Sequence, residues 1–204
     1  MTYRYVPQVV VWIACEGSTD KAYLAALNRL LSEKGVHISL KAEAAGSGLF
    51  KFLEAAYRKC MRKRDKSCKA LPWIWADSDL YERNEKKCRD QYERRSPDIP
   101  EILFSRHNLE DVLVMHEDDE TVQRWIALCK GGRTPLHSHE YMPLLADIYP
   151  DYAKRGMPKR FIPLTPQLLH NAYRHSLDDC IPFKCDLIER LVPIILQDSP
   201  DFFN

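Results

Sequence analysis

The sequence has no apolar run approaching the ~18 residues of a membrane-spanning helix, so no bilayer span is expected. It has no Gly-x-x-x-x-Gly-Lys loop, which excludes a P-loop ATPase within the chain. It has no Cys-x-x-Cys pair, and its seven cysteines (15, 60, 68, 88, 129, 180 and 185) are odd in number and irregularly spaced. That excludes the usual zinc spacing and argues for reduced thiols in a cytoplasm rather than a disulfide framework. Neither sign of charge prevails, since 30 Lys and Arg against 29 Asp and Glu leave +1. A polycation is excluded, so any nucleic acid must be met through a local patch. Residues 1–7 lack the layout of a secretory signal. Repeats, low-complexity tracts and an obvious flexible linker are missing too.

What remains is an ordinary globular composition, 45% hydrophobic and 29% charged over 204 residues. The length fits one domain, or one domain with a helical appendage. The chain is organised around Cys15-Glu16-Gly17-Ser18-Thr19-Asp20, which follows the apolar run Val9-Val10-Val11-Trp12-Ile13-Ala14. A buried strand is expected to stop there and leave a carboxylate at its tip. Gly17 is expected to turn the backbone, and Ser18 or Thr19 to cap the next helix. Asp20, one helical turn on, faces the same way as Glu16.

From there strand and helix patterns alternate. A helix over 20–33 carries Tyr23, Leu24, Leu27, Leu30 and Leu31 on one face, and Lys34-Gly35 ends it. A more exposed strand follows at 37–42, then a turn at 45–48. The next helix, 49–61, is expected to turn Phe52, Leu53, Ala56, Tyr57 and Cys60 inward. A third strand at 71–76 ends on Asp77-Ser78-Asp79, with Trp73 and Trp75 in the core like Trp12. A helix over 83–94 and a fourth strand at 101–105 complete the alternation. This predicts an α/β fold, with a mostly parallel four-stranded sheet flanked by helices. After Asn108 the chain reads as helices at 110–116, 118–130, 139–148, 165–178 and 183–197, separated by Gly and Pro. We divide it into an α/β domain at 1–116 and an α-helical C-terminal extension at 117–204 packed on it. One continuous domain fits equally well.

Acids gather at the strand ends: Glu16 after the first, Asp77 and Asp79 after the third, Glu110 after the fourth. Grouped carboxylates repel one another unless a cation lies between them. Mg²⁺ uses one or two carboxylates, waters and substrate phosphate, and two ions about 4 Å apart can serve phosphodiester cleavage. The pattern therefore predicts a phosphoryl-transfer site using Mg²⁺ or Mn²⁺, as a pair of ions. The metal candidates are Glu16, Asp20, Asp77, Asp79 and Glu110.

Two basic stretches are candidates for a nucleic-acid backbone. One is the run 58–69, containing Arg62, Lys63 and Arg64; a solvated helix end is the plainer reading of it. The other is Lys154, Arg155, Lys159 and Arg160. His116 is expected to pack beneath the site rather than ligate. His137-Ser138-His139 reads as loop polarity or a helix cap.

Glu16 with Gly17 and Asp20, followed two strands later by Asp77-x-Asp79, resembles the Toprim (Rossmann-like) domain. The finer likeness is to small RloB-like proteins and OLD-family nucleases. Asn108-Leu109-Glu110 before Val112-Leu113-Val114-Met115-His116, and Tyr152-Ala153-Lys154, resemble their further motifs. The resemblance spans residues 9 to about 156. It implies metal-dependent cleavage or nicking of DNA or RNA, tRNA included. It also implies a setting in bacterial anti-phage defence, often beside an ABC-type ATPase. By that likeness Glu16 and Asp77 are catalytic, and Lys154 steadies charge on the scissile phosphate. Two rival readings stay open. One is a non-cleaving module that assists an ATPase or binds nucleic acid, and the other is a phosphohydrolase of small phosphoesters. Self-association into a homo-oligomer stays open as well.

Overall fold

The computed structural model describes residues 8–64, 67–79, 90, 92–93, 95–131, 136–152, 157–161 and 163–204. Strand β1 (Val9–Cys15) leads into helix α1 (Ser18–Glu33), then β2 (Ile38–Ala44), α2 (Phe50–Lys63), β3 (Lys69–Asp77) and β4 (Ile102–Arg106). The remainder holds α3 (Leu109–Met115), α4 (Asp119–Leu128), α5 (Ser138–Leu145), a 3₁₀ turn (Lys159–Phe161), α6 (Pro166–Leu177), β5 (Lys184–Cys185) and α7 (Asp186–Asp198). Among the described residues no helix is long and apolar enough to cross a membrane. The expected helix over 83–94 lies outside the described residues except at positions 90, 92 and 93.

The fold is α/β, with a sheet in the order β2-β1-β3-β4-β5. The first four strands run parallel, and β5 joins β4 antiparallel. The sheet thus has five strands rather than four, and the second half of the chain supplies the fifth. β5 escapes a periodicity argument because it is two residues long and lies where the pattern reads as helix. Pro72 sits in β3 opposite Trp12, at a position where β3 has β1 but not yet β4 beside it. Its missing N–H therefore costs no ladder bond on the β4 side.

The sheet separates two cores. Val11, Ile13 and Cys15 of β1 face the larger one with α1, and α3, α6 and α7 continue it. Ala14 faces the smaller one with Phe50, Leu53, Ala56 and Tyr57 of α2. The expected inward set on α1 is buried in full. On α2 the apolar stripe begins at Phe50, and Phe52 is 41% exposed with Lys51 Nζ over its ring. Phe50 is in phase with Leu53, Ala56/Tyr57 and Cys60, whereas Phe52 is about 100° off it.

His116 packs beneath the site as expected. It is fully buried between the rings of Tyr23 and Phe161, both edge-on. Its Nδ1 lies 2.8 Å from the Val112 carbonyl and its Nε2 lies 3.1 Å from the Tyr23 hydroxyl. The neutral tautomer satisfies both contacts, with Nδ1–H donating and Nε2 accepting. Burial pushes its pKa down to about 4 from an ordinary 6.5. The unfolded chain then binds the extra proton between those values, so the contribution His116 makes to stability is lost as pH drops from about 6.5 to about 4. The loss is on the order of 3 kcal/mol. Urea unfolding at pH 7 and pH 4.5 checks this. His116→Gln should be weaker than the wild type at pH 7, and the gap between the two should narrow at pH 4.5.

Candidate functional site

Parallel strands in the order 2-1-3-4 reverse direction of travel between β1 and β3, and ligands bind beyond the strand ends at such a point. A cleft of about 380 Å³ opens there. Its lining includes Glu16, Asp20, Asp77, Asp79 and Glu110. All five acids singled out in the sequence thus face one cleft.

Backbone bonds beyond the ladders place them. Gly46 N–H donates to the Glu16 carbonyl at 2.7 Å, continuing the β1–β2 pairing past the end of both strands. Ser78 N–H donates to the Ser105 carbonyl and Asp79 N–H to that of His107, continuing β3 alongside β4. Glu16 Oε1 accepts from Asp77 N–H at 2.9 Å, which ties the tip of β1 to the end of β3. Glu110 follows Asn108, whose side chain caps α3 by accepting from Asp111 N–H at 3.0 Å. Asp111 turns away from the cleft to accept from Trp125 Nε1 at 2.7 Å, and burial lifts its pKa to about 7.

Asp20 has a different duty from the one its spacing suggested. Its Oδ2 accepts from Gly17 N–H at 2.7 Å, so Asp20, rather than Ser18 or Thr19, braces the start of α1. Gly17 has φ −131°, an extended conformation open to any residue. What it lacks is room, since a Cβ there would stand 3.2 Å from Asp20 Oδ2.

The electrostatics follow from burial and crowding. Burial foremost, then Asp20 and Asp79, pushes Glu16 up to about 8 against the opposing Asp77 N–H bond. Burial lifts Asp20 to about 6, opposed by its backbone donors. Asp77 is raised well above the carboxylate range by burial and then by Glu16, Asp20, Glu110 and Asp79. Its Oδ1 is shut off from solvent and has no hydrogen-bond partner. A buried acceptor left in that state is costly, and it points to a missing cation or proton.

Among the described residues no group of three or more His, Cys, Asp or Glu side chains forms a set that could hold a metal ion. The fit to a divalent cation rests instead on the orphaned Asp77 oxygen and on an all-oxygen donor set. Glu16 and Asp77 would supply the one or two carboxylates that Mg²⁺ ordinarily takes from a protein.

Reading the sequence missed the far wall, which α5 and the segment before it provide. Leu136, His137 and Tyr141 line the cleft there. The Tyr152 hydroxyl donates to Glu110 Oε1 at 2.9 Å, and Glu110 stands near enough to Tyr141 to push its phenol pKa up further after burial. Neither tyrosine carries a motif strong enough to mark it beforehand, though Tyr152 opened the Tyr-x-Lys triplet. His137 begins α5 as expected of a cap, but through its backbone, with N–H donating to Glu140 Oε2 at 2.7 Å.

Lys154 and Arg155 lie outside the described residues, as does the Arg160 side chain. Lys159 is exposed and its N–H donates to Asp151. Arg62, Lys63 and Arg64 stand at the far end of α2, roughly 20 Å along that helix from its start beside the cleft. Lys63, with Lys59, is paired with Glu43. These three therefore do not converge on the acids. Among the described residues no lysine or arginine lines the cleft.

No family model, no curated protein and no solved structure matches the chain.

The raised acids make the metal-free wild type lose stability as pH rises from about 4.5 to about 8, because the folded state then holds protons that the unfolded chain releases. Glu16→Gln and Asp77→Asn remove that penalty. In EDTA at pH 7.5 each should melt roughly 5–10 °C above the wild type, with the advantage fading toward pH 4.5. Calorimetric melts across that range check it; equal or lower melting of both variants at pH 7.5 contradicts the raised proton affinities of Glu16 and Asp77.

Proposed function

We propose that this protein is a metal-dependent nuclease of the Toprim kind, hydrolysing nucleic-acid phosphodiesters at the acidic cleft. The observation that carries the reading is Asp77 Oδ1, buried without a partner among the strand-end acids where the strand order reverses. The motif likeness around Glu16 and Asp77-x-Asp79 supports the choice of family, and the chemistry of the cleft supports the rest.

A phosphate approaching five carboxylates with no described lysine or arginine beside them is repelled, so the compensating charge has to come from outside the described wall. Bound Mg²⁺ or Mn²⁺ supplies that charge, lowers the pKa of water and steadies the leaving oxygen. Glu16 and Asp77 hold the ion, with Asp79 beside them and Glu110 across the cleft. Asp20 keeps the start of α1 in place and shapes the pocket more than it ligates. Tyr152 fixes the Glu110 carboxylate through Oε1. Where Glu16 does not ligate, its place at the cleft suits it instead to move a proton at the attacking water. Tyr152 brings the chain to the cleft wall two residues before Lys154, which supports Lys154 as the cation that meets the scissile phosphate. Arg155, Lys159 and Arg160 follow Lys154 in sequence and are proposed for the flanking backbone. A bacterial defence setting, a cytoplasmic location and an ABC-type ATPase partner belong to the same likeness and are proposed with it.

A second reading draws on the size of the cleft. About 380 Å³ lies within the range of small-molecule pockets, which favours a phosphohydrolase of a nucleotide or other small phosphoester.

The test is hydrolysis of labelled tRNA, single-stranded DNA, plasmid and bis-p-nitrophenyl phosphate with Mg²⁺ or Mn²⁺. We expect cleavage of a nucleic acid by the wild type, lost about 100-fold or more in Glu16→Ala and Asp77→Ala. Tyr152→Phe should lose about 10-fold and still cleave. Cleavage of the small ester alone selects the second reading. Cleavage that survives both alanine variants, or no hydrolysis at all, sinks the proposal.

A further inference from the structure

We infer that Gly48 is the positioning residue for Glu16: the space where a side chain would stand is the seat in which the Glu16 carboxylate lies. The inference rests on Glu16 serving the chemistry of the cleft. A Cβ on Gly48 would stand 2.4 Å from Glu16 Oε2 and 2.7 Å from both Cδ and Oε1, closer than real Cβ contacts go. Nothing in the local backbone calls for glycine here, because Gly48 lies outside the left-handed region. Gly46, two residues earlier, is the opposite case. It has φ +80° and nothing within 4 Å of its Cβ position, so glycine there serves the turn.

The seat is fixed from below. Gly48 is buried, and its carbonyl accepts from the Tyr92 hydroxyl at 2.6 Å. The Tyr92 ring packs on Phe50 at 5.4 Å and Phe104 at 5.8 Å, so the glycine is held by the smaller core. Above it, the Glu16 carboxylate is held between the Gly48 Cα and the Asp77 N–H that Oε1 accepts from. The carboxylate is the far end of a flexible side chain, while Gly48 is anchored backbone. An added methyl therefore displaces the acid rather than the loop, and lifts it off Asp77 N–H. A fixed acid costs no reorganisation when the site is used, which is the advantage of such a seat.

The test uses Gly48→Ala, Glu16→Asp and the double variant in the full chain. In EDTA, Gly48→Ala should melt no lower than the wild type, and the Asp77 amide resonance should move as its hydrogen bond is lost. Calorimetric titration with Mn²⁺ alone should show affinity down about 10-fold. In the Glu16→Asp background, where the shorter acid has already left the seat, Gly48→Ala should add less than about 2-fold. An unmoved Asp77 amide, or the same loss in both backgrounds, overturns the inference. If the wild type binds no Mn²⁺, the metal reading of the cleft falls, and the amide measurement still decides the seat. If Gly48→Ala does not fold, the double variant decides: folding rescued by the shorter acid supports the seat, and failure in both backgrounds overturns it.

Discussion

Repulsion among acids that cannot reach water is the constraint on which the rest of the structure depends. Glu16, Asp20 and Asp77 are each held with raised proton affinity, Asp20 raising Glu16 and both of them raising Asp77. Left to themselves, such groups would swing apart into solvent. Here they are tied down, Glu16 by Asp77 N–H, Asp20 by Gly17 N–H and Glu110 by the Tyr152 phenol. On the proposed reading, a chain that uses hydrogen bonds to hold like charges together lowers its own stability to keep a site ready for a cation. This is the ordinary stability–activity trade-off.

The scaffold that bears this load is the middle of the sheet. β1 lies between β2 and β3, and both ends of the Glu16–Asp77 link are strand ends fixed by parallel ladders. Backbone bonds past the ladders carry the same rigidity into Asp79 and the turn at Gly46. The opposite wall comes from Leu136, His137 and Tyr141, with Tyr152 behind Glu110. The cleft is thus rigid on the strand side and built from a later, irregular stretch on the other.

The α/β alternation was legible because long buried runs and amphipathic stripes are strong signals, and Val9–Cys15 and the Tyr23–Leu31 face are both. The acids were legible because a carboxylate at the end of an apolar strand is conspicuous. β5 was not, since two residues give no periodicity. Phe52 was misjudged because Phe50 and Phe52 offer alternative starts to one stripe, and only packing against Leu53 and Tyr92 decides between them. Asp20 was read as facing the cleft, and it does line it, yet capping uses one of its oxygens. Tyr141 and Gly48 were invisible for a different reason. Their partners Glu110 and Glu16 are 31 and 32 residues away in sequence, and a glycine announces backbone freedom, not the room it leaves for something else.

The Asp186 carboxylate at the start of α7 accepts from Phe104 N–H at 2.9 Å, just beyond the point where β5 stops pairing with β4. Without it, that donor would face outward from an unfinished strand and template pairing with another chain. At the opposite border β2 presents an exposed Lys41, and its Glu43 is engaged by Lys59 and Lys63. Both margins of the sheet are therefore blunted, one by a borrowed acceptor and one by charge. Pairing between copies edge to edge is disfavoured at both margins for these two different reasons.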